Sequence, residues 1–165
     1  MQTYSDDSEH WYVDGSANQA GVKNGPGGCA AIRIGYKAIN AGGSLSPESS
    51  QKKLVMLEYA ADGNKFTTNN RMELTAVLLA LRKSTGQNIT FYTDSQYVMM
   101  SAMGKFKRGA NFDLWREYDA LSAGRTVNWV KVKAHSGDRF NDMVDDLAKQ
   151  QTELFKEARR SFYGH

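Results

Sequence analysis

The chain has 165 residues, 41% hydrophobic and 24% charged, with only two prolines. That is the make-up of one globular domain, and it excludes disordered, collagen-like and low-complexity chains. A single cysteine, Cys29, excludes a disulfide framework and a multi-cysteine zinc site. The longest apolar run, residues 76–81, is too short to cross a membrane. The acidic start of the chain has no signal-peptide core, so the expectation is a cytoplasmic monomer. A flexible tail is expected at 1–9, one domain at 10–160 and a short tail at 161–165. The net charge of +3 is too mild, taken alone, to identify a nucleic-acid partner.

In chain order, residues 10–13 are aromatic and β-branched and predict a strand that ends at Asp14-Gly15. Residues 16–28 are rich in Gly and Asn and predict a loop. Strands are expected at 29–36 and 53–60, with a Gly/Ser/Pro turn region at 40–50 between them. Helical spacing of Met72, Ala76, Leu79 and Ala80, widened by Leu74, Leu78 and Leu81, predicts a helix capped by Asn70 and ended by Gly86. A strand follows at 89–93, and Asp94-Ser95 opens a short helix to about Met103. A basic loop covers 104–111, a helix 113–123 and a strand 127–132. A final helix is expected at 141–160, with Val144, Leu147, Ala148, Leu154, Phe155 and Ala158 buried. The order β-β-β-α-β-α-α-β-α implies an α/β fold. Its mixed five-stranded sheet is a three-strand antiparallel meander plus two parallel strands, flanked by helices. The long helix after the meander must cross over to set the fourth strand parallel to the first.

Four acids stand out on this frame. Asp14 and Asp94 lie at the C-terminal ends of strands, where α/β sheets place their sites. Glu73 lies in the first turn of the first helix, and Asp145 in the first turns of the last. Each also has a bland explanation. Asn70-x-x-Glu73 has capping-box spacing, Asp94 suits a helix N-cap, Asp14-Gly15 suits a turn, and Asp142, Asp145 and Asp146 suit a helix N-terminus. Singly, those readings prevail. Brought together, carboxylates repel by about 4 kcal/mol per pair at 4 Å with an effective dielectric near 20. Divalent cations relieve that repulsion, and all-oxygen ligands suit Mg²⁺ or Mn²⁺. Two such ions form the clamp used for in-line phosphodiester displacement.

The words around these acids decide between the readings. Tyr12-Val13-Asp14-Gly15-Ser16, Thr67-Thr68-Asn69-Asn70-Arg71-Met72-Glu73-Leu74, Thr93-Asp94-Ser95-Gln96-Tyr97-Val98 and Val130-Lys131-Val132-Lys133-Ala134-His135-Ser136-Gly137 occur in that order. Asn141 through Asp145-Asp146-Leu147-Ala148 adds a fifth piece. Together they resemble the successive motifs of type 1 ribonuclease H, over most of the chain. The resemblance implies a metal-dependent endonuclease, a ribonuclease H. Such an enzyme hydrolyses the RNA strand of RNA–DNA hybrids and leaves 3′-hydroxyl and 5′-phosphate ends. It makes Asp14, Glu73, Asp94 and Asp145 the ligands of two Mg²⁺ ions, with Mn²⁺ as a substitute. It makes His135 a candidate for proton transfer, which its near-neutral pKa suits. His10 and His165 fit no motif.

The resemblance also assigns substrate contacts. Asn69, Asn70 and Gln96 match positions that read the minor groove, where the 2′-hydroxyl both donates and accepts hydrogen bonds. Asn18 or Asn24 supplies the asparagine of the first loop, and Ser16, Thr68 and Asn141 are weaker candidates. Lys105, Lys107 and Arg108 surround Phe106. Residues 1–100 carry no net charge, whereas residues 101–110 hold the whole excess of +3. Many bacterial family members carry a long basic, Trp-rich protrusion here. In this chain that protrusion is truncated, which implies a weaker grip and a shallow salt dependence. Two rivals remain: a transposase- or resolvase-like nuclease acting on DNA, and a noncatalytic hybrid-binding module. Without the four acids the rest of the chain carries +7, an acidic pocket within a basic surface.

Overall fold

The computed structural model describes residues 4–39, 51–134 and 137–163. The turn region expected at 40–50 and His135 lie outside the described residues. The elements follow the expected order: β1 (Glu9–Ala17), β2 (Gly25–Ile39), β3 (Gln51–Thr67), α1 (Asn69–Lys83), β4 (Asn88–Thr93), α2 (Gln96–Ala102), α3 (Phe112–Ser122), β5 (Thr126–Lys131) and α4 (Arg139–Phe162). One sheet has the order β3-β2-β1-β4-β5. β1 and β3 flank β2 antiparallel, while β4 runs parallel to both β1 and β5.

The strands extend beyond their apolar centres. Gly27 and Gly28, expected in a loop, pair with Ala17 and Ser16. Residues 35–39 of β2 pair with β3 alone, through positions such as Lys37 and Lys53. Ladder bonds join backbone groups, so polar side chains do not prevent this ribbon from forming.

Period-two alternation divides the core between the two faces of the sheet. Trp11, Val13, Cys29, Ala31 and Phe91 pack beneath α1 and against Trp115 of α3. Tyr12, Ala30, Ile32, Ile34 and Tyr92 point the other way, toward Phe140, Val144 and Ala148 of α4. Leu154 departs from its expected burial and is 62% exposed. The α4 helix begins at Arg139 because Asp138 caps it, its carboxylate accepting from the Phe140 and Asn141 amides.

Within the stretch expected as tail, Tyr4 and Ser8 are half-buried while Ser5, Asp6 and Asp7 are exposed. The Tyr4 hydroxyl shares a 2.7 Å hydrogen bond with Tyr12, whose own hydroxyl donates to Asp138. The Tyr4 ring sits 5.6 Å from that of Tyr92. His10 is buried and bonded to the Tyr92 hydroxyl and the Ser5 carbonyl, in keeping with a purely structural role.

Gly15 fixes how closely α1 approaches the sheet. A Cβ there would lie 2.3 Å from the Met72 carbonyl group and 2.7 Å from the Glu73 nitrogen. These are backbone atoms that cannot rotate aside. Gly15→Ala should therefore destabilise the protein by about 3 kcal/mol, read as a lower urea midpoint at unchanged slope.

Candidate active site

β1 and β4 are adjacent and parallel, with Tyr12 opposite Tyr92. Two steps further along, Asp14 closes the apolar part of β1 and Asp94 follows the end of β4. Their carboxylates therefore emerge side by side at one edge of the sheet. Glu73 reaches the same corner from α1. One ligand oxygen from each of Asp14, Glu73 and Asp94 lies within 4.8 Å of the others.

The local caps explain why these acids are available. Thr68, rather than Asn70, caps α1 by accepting from the Arg71 amide at 3.2 Å. Helix α1 thus starts two residues earlier than expected, and Glu73 stands in its second turn. Its carboxylate accepts from the Gly15 amide at 2.6 Å, so the capping-box reading is replaced by a tie to β1. The same amide donates to Asp14 at 2.9 Å. Ser95, rather than Asp94, caps α2 by accepting from Val98.

Burial pushes the Asp14 carboxyl up to about 7. The negative charges of Asp94 and Asp145 add to the rise, and a hydrogen bond with Glu73 only partly offsets it. Burial and then the charge of Asp14 raise Glu73 well above the usual carboxylate range. Asp145 joins from α4. It interacts with Asp14 and forms a 2.9 Å ion pair with Lys149 one turn later. That pair follows i,i+4 spacing and was readable in the sequence. The tie through the Gly15 amide was not, because it depends on how close α1 lies to β1.

The remaining candidates divide by exposure. Asn70 and Gln96 are exposed near the acid corner, while Ser16 and Thr68 are half-buried there. Asn69 accepts from the Ala17 amide at 2.6 Å and so pins the first loop. Asn18 and Asn24 are both exposed in that loop. The Asn18 side chain accepts from the Ala20 amide, and the Asn24 carbonyl accepts from Arg159. Asn141 is only 3% exposed, so it offers no surface to a duplex. Its Oδ1 has no hydrogen-bond partner among the described residues. Sequence reasoning missed Arg71, which clamps Asp113 of α3 with bonds of 2.7 and 3.0 Å and thereby orders the start of α1.

The loop at 103–111 also divides. Lys105 and Lys107 are exposed. Arg108 instead forms two 2.9 Å bonds to Asp119 and stacks 4.2 Å above the Trp115 ring. Arg108→Ala should destabilise the protein by about 1 kcal/mol through lost stacking and pairing. Lys107→Ala should leave thermal unfolding unchanged. Equal melting temperatures for the two variants would remove this distinction.

The RNase H family profile matches residues 6–153. A curated ribonuclease H of Neorickettsia sennetsu is 32% identical over 146 residues, covering 79% of this chain and 85% of that protein. Among solved structures, LC9-RNase H1, a type 1 RNase H with the type 2 active-site motif, superposes with a TM-score of 0.67 at 26% identity. That match covers 93% of this chain and 75% of the other. LC11-RNase H1, solved in complex with an RNA/DNA hybrid, superposes with a TM-score of 0.64 at 17% identity. It covers 89% of this chain and 98% of that one, and shows likeness of fold. None of the helices among the described residues is long and apolar enough to cross a membrane. With a profile match over nearly its whole length, the chain belongs to the ribonuclease H family and is an enzyme of that family.

Proposed function

We propose that this ribonuclease H cleaves the RNA strand of RNA–DNA hybrids, leaving 3′-hydroxyl and 5′-phosphate ends, and does so with divalent cations held by Asp14, Glu73, Asp94 and Asp145. The observation that carries this reading is the convergence of Asp14, Glu73 and Asp94 within 4.8 Å at the end of two parallel strands. Such a cluster is costly to a chain that only folds, since burial and repulsion push the carboxyls of Asp14 and Glu73 above the usual carboxylate range. The donors are all carboxylate oxygens, which fits Mg²⁺, or Mn²⁺ in its place, rather than zinc. When bound, two such ions would supply charge neutralisation and Lewis-acid stabilisation to an in-line phosphodiester displacement.

The chain's own residues do the rest. The Gly15 amide holds Asp14 and Glu73 in register, and Lys149 orients Asp145. The exposed amides of Asn70 and Gln96 suit a 2′-hydroxyl in the minor groove, with Ser16, Thr68 and the Asn69-pinned first loop beside them. Lys105 and Lys107 meet phosphates without reading sequence. The imidazole of His135 moves a proton to or from the reacting phosphodiester or its leaving oxygen. The short 103–111 loop, standing in place of a long protrusion, gives a weaker grip on the hybrid.

The test compares end-labelled hybrid, duplex DNA and duplex RNA under identical Mg²⁺. Cleavage confined to the RNA strand of the hybrid supports the proposal. Cleavage of duplex DNA would favour the transposase- or resolvase-like alternative.

A further inference from the structure

Beyond the acid corner, the end of α4 carries a patch that the proposed reaction does not use. Phe162 and Tyr163 are 61% and 55% exposed, and Phe66 from the end of β3 is 37% exposed. These rings contact one another edge to face, with centroids 5.4 to 6.2 Å apart. Cations surround them. The Arg159 guanidinium lies 4.8 Å from the Phe66 ring, and the Lys65 ammonium 5.3 Å from that of Phe162. Lys156, Arg159, Arg160 and Tyr163 line one wall of a groove of about 320 Å³, whose other wall includes Asn18 and Pro26. Among the described residues, no acid lines this groove. Glu157 is nearby and pairs with Arg160 at 3.3 Å.

The groove borders the first loop, which supplies Asn18, Ala20 and Val22 to its lining. Arg159 donates to the Asn24 carbonyl and so ties α4 to the first loop. The same loop is fastened to α1 through Ala17, Gln19 and Asn69. Phe66 stands two residues before Thr68. Asn18 of that loop, a candidate substrate contact, itself lines the groove.

We propose that this basic groove, together with the aromatic patch that Tyr163 joins to it, binds single-stranded nucleic acid flanking the hybrid. Exposed rings gain little from a duplex, whose bases are already stacked on one another, but they offer stacking faces to unpaired bases. The adjacent cations supply a sequence-independent phosphate track. An unpaired strand, rather than a second length of duplex, is thus the occupant that both chemistries fit. The inference rests on the ribonuclease reading for its orientation, but binding of a single strand does not require cleavage.

The test measures fluorescence anisotropy of the full chain with a labelled single-stranded DNA oligonucleotide in EDTA. Cleavage of a blunt hybrid and of hybrids carrying single-stranded extensions is then followed in Mg²⁺. The variants are Phe162→Ala with Tyr163→Ala, and Lys156→Gln with Arg160→Gln. The aromatic pair should weaken oligonucleotide binding about tenfold. The charge pair should make the log–log salt slope shallower by about 1.4. Both should abolish any preference for extended over blunt hybrids while leaving blunt-hybrid cleavage unchanged. Oligonucleotide binding that is equal in wild type and both variants would overturn the proposal, as would equal loss on blunt and extended hybrids. Absence of all hybrid cleavage by the wild type, with oligonucleotide binding intact, would instead count against the ribonuclease reading alone.

Discussion

Asp14→Asn is expected to lower hybrid cleavage by at least ~10³-fold, the loss that follows when several kcal/mol of transition-state stabilisation disappear. Asparagine keeps the shape of the side chain and can still accept from the Gly15 amide, so the corner should stay assembled. What disappears is one negative charge at the centre of the cluster, between Glu73, Asp94 and Asp145. The same loss should stabilise the metal-free protein slightly, because like charges no longer crowd a half-dry site. Loss of activity with unchanged or increased melting temperature is the expected pair of results. Wild-type turnover in this variant would remove Asp14 from the ligand set.

The metal-free enzyme should also be more stable at about pH 5 than at about pH 7.5. Asp14 titrates near 7 in the folded chain but at an ordinary carboxylate value when unfolded, and Glu73 is raised likewise. Between these values the folded state holds protons that the unfolded state has released. Stability from these two groups is therefore fully present below about pH 4; the Asp14 share is lost as pH rises through about 7, and the Glu73 share is lost as pH rises through its own raised value. Carboxylates with lowered values act in the opposite sense but over a different range. Asp113, held down to about 2 by Arg71, and Glu117, lowered by Arg82, lose their contribution only as pH falls below about 4. The two trends leave a maximum near pH 5. The size of the effect is a few kcal/mol, or several degrees in melting temperature for a chain of this length. Saturating Mg²⁺ should reverse the slope above pH 5, since the ion binds the deprotonated carboxylates and adds stability by mass action. Thermal denaturation across this range, in EDTA and in Mg²⁺, checks both signs. A melting temperature in EDTA that climbs from pH 5 to 7.5 would contradict them.

Much of the architecture was legible because it rests on local patterns. The helical stripe from Met72 to Leu81, the alternation from Trp11 to Asp14 and the Gly124 stop after α3 gave the element order, although α1 ends at Lys83, capped by Ser84 ahead of the expected Gly86. One crossover rule then set β4 parallel to β1. The acid corner was legible for a different reason: each carboxylate sits inside a recognisable word, and the words come in family order. What escaped the sequence depends on contacts between distant segments. Thr68 took the cap expected of Asn70 because its hydroxyl, and not the asparagine side chain, meets the Arg71 amide. Arg108 looked like part of a phosphate grip until Trp115 and Asp119 were seen to hold it. Leu154 fits the helical stripe, yet lies exposed on the outer face of α4. Residues 4–8 read as tail because an acidic, polar stretch gives no sign that Tyr4 will meet Tyr12 and Tyr92.

The most direct test of the acid corner as a metal-dependent nuclease site is a Mg²⁺ titration of hybrid cleavage by the wild-type chain. The substrate is labelled on the RNA strand, and the reaction begins from protein stripped with EDTA. The prediction is no cleavage without metal, a saturable rise with Mg²⁺, and RNA products ending in a 3′-hydroxyl. Cleavage that persists undiminished in EDTA, or that fails to appear in either Mg²⁺ or Mn²⁺, would contradict it.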